Sequence, residues 1–416
     1  MSMVQFLVNA ISTIRKVDSM ILQDIRLQAC QANTVKASGA RIVDEFWTAR
    51  QRQMHSLHYA VSYRASFKPE LPDYFIRRYS RPGHVIFDPF SGRGTTVLQA
   101  NILGRIGWGN DINPLCALIT YAKTHPVHLS DIENRLNKIC LHMPVNMDDY
   151  ARFEPFYHVN TYKELVNLRS FLQENRTDVD LFIEMVALSR LHGHSRGFFS
   201  TYTFPQISVT PKAQERINKK RGNKPEYRSI KPRILRKAKA ILKDGRIDEI
   251  RAIGVRNVLT SADARSLQIP KNSVDLIVTS PPFLDKADYL LDNWLEFWFC
   301  QIDPAGFAPN LVQTPCLETW KDFMREAMRE MNRVLKHDGV CVVEVGDINL
   351  GKRSINLDEE VISISDELLS VEPDYCLEVE YVLVNQQCFT KLANCFGVTN
   401  NRKGTNTNRL VVLRKC

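Results

Sequence analysis

The segment from His84 to Lys123 constrains the fold more than any other part of the chain. His84-Val85-Ile86-Phe87 is a short β-branched and aromatic run that stops at Asp88-Pro89-Phe90-Ser91-Gly92-Arg93-Gly94-Thr95-Thr96. After it, Val97 to Leu103 reads as a helix ended by Gly104. Ile106 to Asn110 is a second strand that runs into Asp111, and Pro114 opens a helix through Lys123. The result is a β-α-β unit with a glycine loop after its first strand and an acid after its second. Alternation resumes at Val258, with strands at about 274–280 and 340–346 and between them a helix from about Glu318 to Leu335 that stops at Asp338-Gly339. Repeats of such units predict an α/β fold with a doubly wound, mostly parallel sheet.

Residues 126–252 interrupt that alternation. Helical stretches near 162–174 and 181–191 precede a basic run, and Lys212 to Arg246 holds 14 Lys/Arg against 3 Asp/Glu, a local charge of +11. With a total of +9, the rest of the chain sums to −2. So concentrated a charge suits a polyanionic partner, because neutralising phosphates releases counterions whatever the base sequence; a solvated helix face is the plainer alternative. The expected organisation is an N-terminal helical segment over 1–50, a main α/β domain from 51–125 and 253–416, and an inserted basic, helical region over 126–252.

No apolar run approaches the ~18 residues of a membrane span, and Arg15, Lys16 and Asp18 break the early apolar stretch that a secretory leader needs. The reading is cytoplasmic. The 10 cysteines contain no C-x-x-C pair, which favours reduced thiols, and nothing completes a metal ligand set around His192 and His194. No metal is expected.

In a doubly wound sheet, ligands sit beyond the carboxyl ends of the strands, so the glycine loop and Asp111 should face one cofactor. Gly92 and Gly94 permit close backbone approach, and a carboxylate at 111 can accept from ribose hydroxyls. The pattern is not G-x-G-x-x-G, and Asp88 at the loop mouth disfavours a pyrophosphate while suiting a cation. Further on, Asp275 to Thr279 runs into Ser280-Pro281-Pro282-Phe283. Two prolines remove two N–H donors and leave carbonyls that can only accept. An aryl amine needs such acceptors, here Ser280 Oγ and the Pro281 carbonyl, while Phe283 would stack on a base swung out of its duplex.

Asp88 to Thr96 together with Thr279-Ser280-Pro281-Pro282-Phe283 closely resembles the S-adenosylmethionine-dependent amino-methyltransferases of bacterial DNA modification. The likeness extends to Phe67-Lys68-Pro69-Glu70-Leu71-Pro72, Asn110-Asp111-Ile112-Asn113-Pro114, Asp263, Asp288-Tyr289 and Leu295 to Trp298. It implies a Rossmann-like methyltransferase fold with S-adenosylmethionine as cofactor. Phe67, Lys68 and Pro69 would hold its methionine end; Asp88, Pro89, Phe90, Gly92, Gly94, Thr95 and Thr96 the loop side; Asp111 and Asn113 the ribose; and Asp263 the adenine amine. Double-stranded DNA is the implied partner, with Arg196, Lys219, Lys220, Arg221, Lys224 and Arg228 as its expected contacts. A cognate restriction endonuclease is compatible with the resemblance, no membrane is involved, and the oligomeric state stays open.

Within that family Ser before Pro-Pro usually accompanies cytosine N4, and Asp accompanies adenine N6. Ser280 therefore favours N4 of cytosine, with adenine N6, an RNA amino group, or a silent nucleic-acid-binding module as alternatives. Many N4-cytosine enzymes place Pro-Pro ahead of the glycine loop, whereas here it follows the insertion. Pro315-Cys316 could suggest attack by cysteine on cytosine C5, but it lies beyond the Pro-Pro turn and such a dipeptide is expected about as often by chance. Glu344 and Asp347 could line a base pocket or cap a turn. His194, Arg196, Phe198, Phe199, Tyr202 and Phe204 could stack on bases or fill a small core.

Overall fold

A computed structural model describes residues 40–44, 46–47, 54–64, 66–205, 207–282, 284, 288–350, 353–386 and 407–416. Its strands are β1 (Ala40–Asp44), β2 (Val85–Asp88), β3 (Ile106–Asn110), β4 (Val258–Thr260), β5 (Val274–Thr279), β6 (Leu335–Val345), β7 (Asp347–Leu350), β8 (Arg353–Asn356), β9 (Leu377–Gln386) and β10 (Thr407–Lys415). Eight form one sheet in the order β1-β9-β10-β6-β5-β2-β3-β4, while β7 and β8 pair as a separate hairpin. All pairings in the main sheet are parallel except those of β10, which runs antiparallel to both β6 and β9. The chain is thus a Rossmann-like, doubly wound α/β fold. Strand order reverses between β2 and β5, and the crevice for a ligand opens at that switch point.

The central strands are buried on both faces, as parallel strands under helices must be. Side chains alternate. Phe87, Ile277 and Val343 join one cluster with Trp320, Met324 and Met328 of the helix Leu317–Val334 and Val361 and Ile364 of the helix Leu357–Val371. Ile86, Leu276, Val278 and Val342 face the other way, onto Leu71, Phe75 and Ile76 of the helix Glu70–Tyr79.

Helices fill most of 126–252, including Val159–Glu174 and Asp178–Leu188 near the expected positions. Their apolar residues share one core with Leu98, Leu115 and Ile119 of the glycine-loop half and with Leu295, Phe297 and Phe299. The inserted region is therefore packed onto the sheet domain and does not hang from it as a separate lobe. One expectation fails: Ala40–Asp44, read as part of an N-terminal helix, is an edge strand paired in parallel with β9. Its partner lies some 340 residues on, so no local periodicity could reveal the pairing. Residues 1–39 of that segment lie outside the described residues.

Candidate active site

A pocket with about 810 Å³ of empty space, open mouth included, lies at the carboxyl ends of β2 to β5. Its floor is built by the glycine loop. Gly92 and Gly94 sit at φ +48° and +71°, the left-handed region, and a Cβ on Gly94 would overlap the Thr120 side chain. Asp111 holds the loop from β3, its Oδ2 accepting from Gly92 N at 2.9 Å and its Oδ1 from Asn113 N at 3.0 Å. Burial pushes the Asp111 carboxyl above its usual range, and those two backbone donors pull it back. Asn110, itself buried, ties two more walls together by donating to Pro89 O at 3.2 Å and to Ala262 O at 2.9 Å.

Of the expected cofactor residues, Phe67, Pro89, Phe90, Gly92, Thr95, Asp111, Asn113 and Asp263 line the pocket. The others do not. Lys68 and Pro69 stand at the entry to the helix Glu70–Tyr79, Gly94 caps the helix Thr95–Ile102, and Thr96 Oγ1 donates to Val278 O at 3.0 Å, bracing β5. Asp88 is fully buried behind Pro89. Its Oδ1 accepts from Thr279 Oγ1 at 2.6 Å and from Phe90 N at 3.1 Å, while Oδ2 is buried with no hydrogen-bond partner among the described residues. Burial raises its pKa to about 7 against the help of those donors. At Asp263, burial likewise opposes ionisation, yet Arg265 outweighs it: its Nη2 sits 2.7 Å from Oδ2 and its backbone N 2.9 Å from Oδ1, holding the carboxyl below its usual range.

The second motif closes the pocket from β5. Ser280 and Pro282 line it and Pro281 lies buried behind; Phe283 falls outside the described residues. The Pro282 carbonyl is taken by Trp320 Nε1 at 2.8 Å. The Ser280 hydroxyl donates to Glu344 Oε2 at 2.5 Å, and Glu344 Oε1 accepts from Asn408 Nδ2 at 2.7 Å. Glu344, weighed between two roles in the sequence, thus stands directly behind the expected amine acceptor.

Several lining residues were not legible as such. Tyr63 and Tyr289 stack with centroids 6.3 Å apart over the Asp111 end, and Arg64 Nη1 joins their segments by meeting Asp292 Oδ2 at 2.6 Å. Phe323, with Leu311 and Val312, forms the far wall. The aromatic run around Tyr63 and the Asp288-Tyr289 pair were the available signals; Phe323 left none beyond its place on an amphipathic helix.

Beside this pocket runs a basic groove lined by Arg93, Arg190, His194, Arg233, Arg236 and Lys237, with no Asp or Glu among its lining residues. Ser62 and Arg93 border the groove while their chain neighbours Tyr63 and Gly92 border the pocket. Of the expected nucleic-acid contacts, Arg196, Lys219, Lys220, Arg221 and Lys224 are exposed. Arg228 is half-buried, and its Nη1 donates to the carbonyls of Ser195 (3.4 Å), Phe198 (3.2 Å) and Ser200. Its guanidinium braces that loop.

Residues 15–121 match the model of the DNA methylase family (N6/N4 amino-methyltransferases). The Type II methyltransferase M.MjaII of Methanocaldococcus jannaschii is 37% identical over 103 residues, 25% of this chain and 18% of that protein. M.BsoBI of Geobacillus stearothermophilus, also a Type II methyltransferase, is 21% identical over 271 residues, 60% of this chain and 53% of its own. The chain therefore spans between a fifth and about half of these relatives' length. A putative DNA modification methylase from Thermus thermophilus, solved with S-adenosyl-L-methionine, is 19% identical over 37% of this chain and 53% of that one, with a TM-score of 0.23. At that score, strand order and not the neighbour defines the fold. Over residues 15–121, and along the stretches shared with the two Type II methyltransferases, the chain is similar to the DNA methylase family. The pocket fits S-adenosylmethionine: the Asp111 carboxylate and Asn113 on its wall can meet ribose hydroxyls, and Gly92, at φ +48° and without a side chain, leaves backbone open beside Asp111. Among the described residues, no helix is long and apolar enough to cross a membrane.

Proposed function

We propose that this protein methylates the exocyclic N4 amine of cytosine in double-stranded DNA. The observation that carries the reading is the Ser280 hydroxyl. It lines the pocket while its hydrogen is committed to Glu344, so its lone pairs are free to accept from an amine. S-adenosylmethionine, when bound, supplies an electrophilic methyl group. Asp111, Asn113, Phe67 and the Gly92 loop would hold it, with Asp263 at its adenine end. Ser280 then binds the amine N–H and orients the nitrogen lone pair, so catalysis comes from position and polarisation. Phe283 follows Pro282 in the sequence and is assigned stacking on the extruded base. The groove beside the pocket, with exposed Arg196, Lys219, Lys220, Arg221 and Lys224, is assigned to phosphates.

The test is to digest DNA from cells expressing the protein to nucleosides and separate them by mass spectrometry. N4-methylcytosine is expected. N6-methyladenine would move the target to adenine, and unmodified DNA would overturn the reading. On purified protein, Ser280→Ala should lower single-turnover methylation with little change in cofactor or DNA affinity.

A further inference from the structure

Methylation of an exocyclic amine leaves a proton to be disposed of, and the strands behind Ser280 hold a place for it. Ser280 is positioned by β5, Glu344 by β6 and Asn408 by β10, which are consecutive neighbours in the sheet. The Ser280 hydroxyl donates to Glu344 Oε2 at 2.5 Å, and Asn408 Nδ2 donates to Oε1 at 2.7 Å. Register keeps the three in line, because Leu410 of β10 pairs with Glu344 and Thr279 pairs with Val343. Glu344 is only 5% exposed. A carboxylate in that setting is an acceptor that bulk water reaches poorly, pinned on its far side and joined to the pocket through one hydroxyl.

We propose that Glu344 takes up the proton released by the target amine, acting through the Ser280 hydroxyl; the inference rests on the amino-methyltransferase reading. The amine nitrogen forms a bond to the methyl carbon as the carbon–sulfur bond breaks, its electron pair leaving with sulfur. The nitrogen then carries the positive charge. One N–H bond breaks with its pair returning to nitrogen, the proton passes to Ser280 Oγ, and the hydroxyl's own proton passes to Glu344 Oε2. The products are a neutral methylated amine, an intact serine and a neutral carboxylic acid, which returns its proton to water when the site opens. Glu344 is thus a positioning and relay residue behind Ser280, and Asn408 keeps its receiving oxygen aimed at the hydroxyl.

Glu344→Gln separates relay from mere scaffolding, because the amide oxygen still accepts from Ser280 but cannot hold a proton. Single-turnover methylation by this variant should fall by about 10²-fold, the usual reach of a proton acceptor, while S-adenosylmethionine affinity by calorimetry and DNA affinity by anisotropy stay at wild-type values. KM should likewise hold while kcat drops. The double variant Ser280→Ala with Glu344→Gln should be no slower than Ser280→Ala alone, since both interrupt one path. Asn408→Ala should show a smaller loss in the same direction. A Glu344→Gln rate equal to wild type, or losses that multiply in the double variant, would overturn the relay. Wild-type protein that methylates no base would overturn the underlying reading instead.

Discussion

Thr279 and Asp88 join the two halves of the pocket, the Thr279 hydroxyl donating at 2.6 Å to one oxygen of a carboxyl whose other oxygen is buried without a partner among the described residues. That bond and the one from Phe90 N do not offset full burial of a negative charge, and the Asp88 pKa rises from 3.8 to about 7. The direction of the linkage follows. Above pH 7 the carboxyl is ionised folded and unfolded, and the native state carries the whole cost of burying the charge. As pH falls from 7 towards 4 the folded protein takes up the proton first, so stability from this group rises. Asp88→Asn, which imitates the protonated acid, should melt several degrees higher than wild type at pH 8, with the difference gone near pH 4. Thermal melts of the ligand-free protein across that range check it.

Asp111 has two tasks that one substitution cannot remove separately. Its carboxylate faces the pocket and also holds Gly92 N and Asn113 N. Asp111→Ala should therefore weaken cofactor binding by about ten- to a hundred-fold, from loss of charge-assisted hydrogen bonds at about 1.5–3 kcal/mol each. It should also loosen the glycine loop. Calorimetric titration measures the first effect, and amide hydrogen exchange at Gly92 the second; unchanged affinity would remove Asp111 from the site.

Gly94 is a stability position. At φ +71° any side chain is strained, and a Cβ would in addition overlap Thr120. Gly94→Ala should cost about 1–3 kcal/mol, read from denaturant midpoints, and should lower cofactor affinity less than Asp111→Ala does.

What could be read from the chain alone was what is local. Val85–Asp88, Ile106–Asn110 and the helix opened by Pro114 lie where β-branched runs, glycines and a proline placed them. Asp111 and Ser280 reached the pocket because strand ends in a doubly wound sheet converge by rule. What escaped reading depends on distant partners. Ala40–Asp44 is a strand only because β9 lies beside it, and Tyr63 meets Tyr289 across more than two hundred residues. Glu344 could not be told from a turn cap until β6 was set next to β5. Charge misled in one place: composition counts Arg228 with the phosphate ligands, but cannot see the carbonyls of Ser195, Phe198 and Ser200 that engage it.

That contrast separates two kinds of arginine and yields the last prediction. Arg236 is exposed on the wall of a groove that carries five Lys/Arg, one His and no carboxylate, and the groove borders the pocket through Ser62 and Arg93. Mutual repulsion in such a wall is relieved when a phosphate enters. If the DNA backbone runs there, Arg236→Ala should weaken binding alike for unrelated sequences and lower the slope of log affinity against log salt by about 0.9 per lost phosphate contact. Arg228→Ala should do something else. Without its guanidinium the loop from Ser195 to Ser200 loses its brace, so the melting temperature should fall while the salt slope scarcely moves. Anisotropy titrations at several salt concentrations, beside thermal melts, distinguish the two. A wild-type slope for Arg236→Ala would remove the groove from the DNA path and leave the exposed lysines of the helix Pro211–Arg221 as the remaining seat for the backbone.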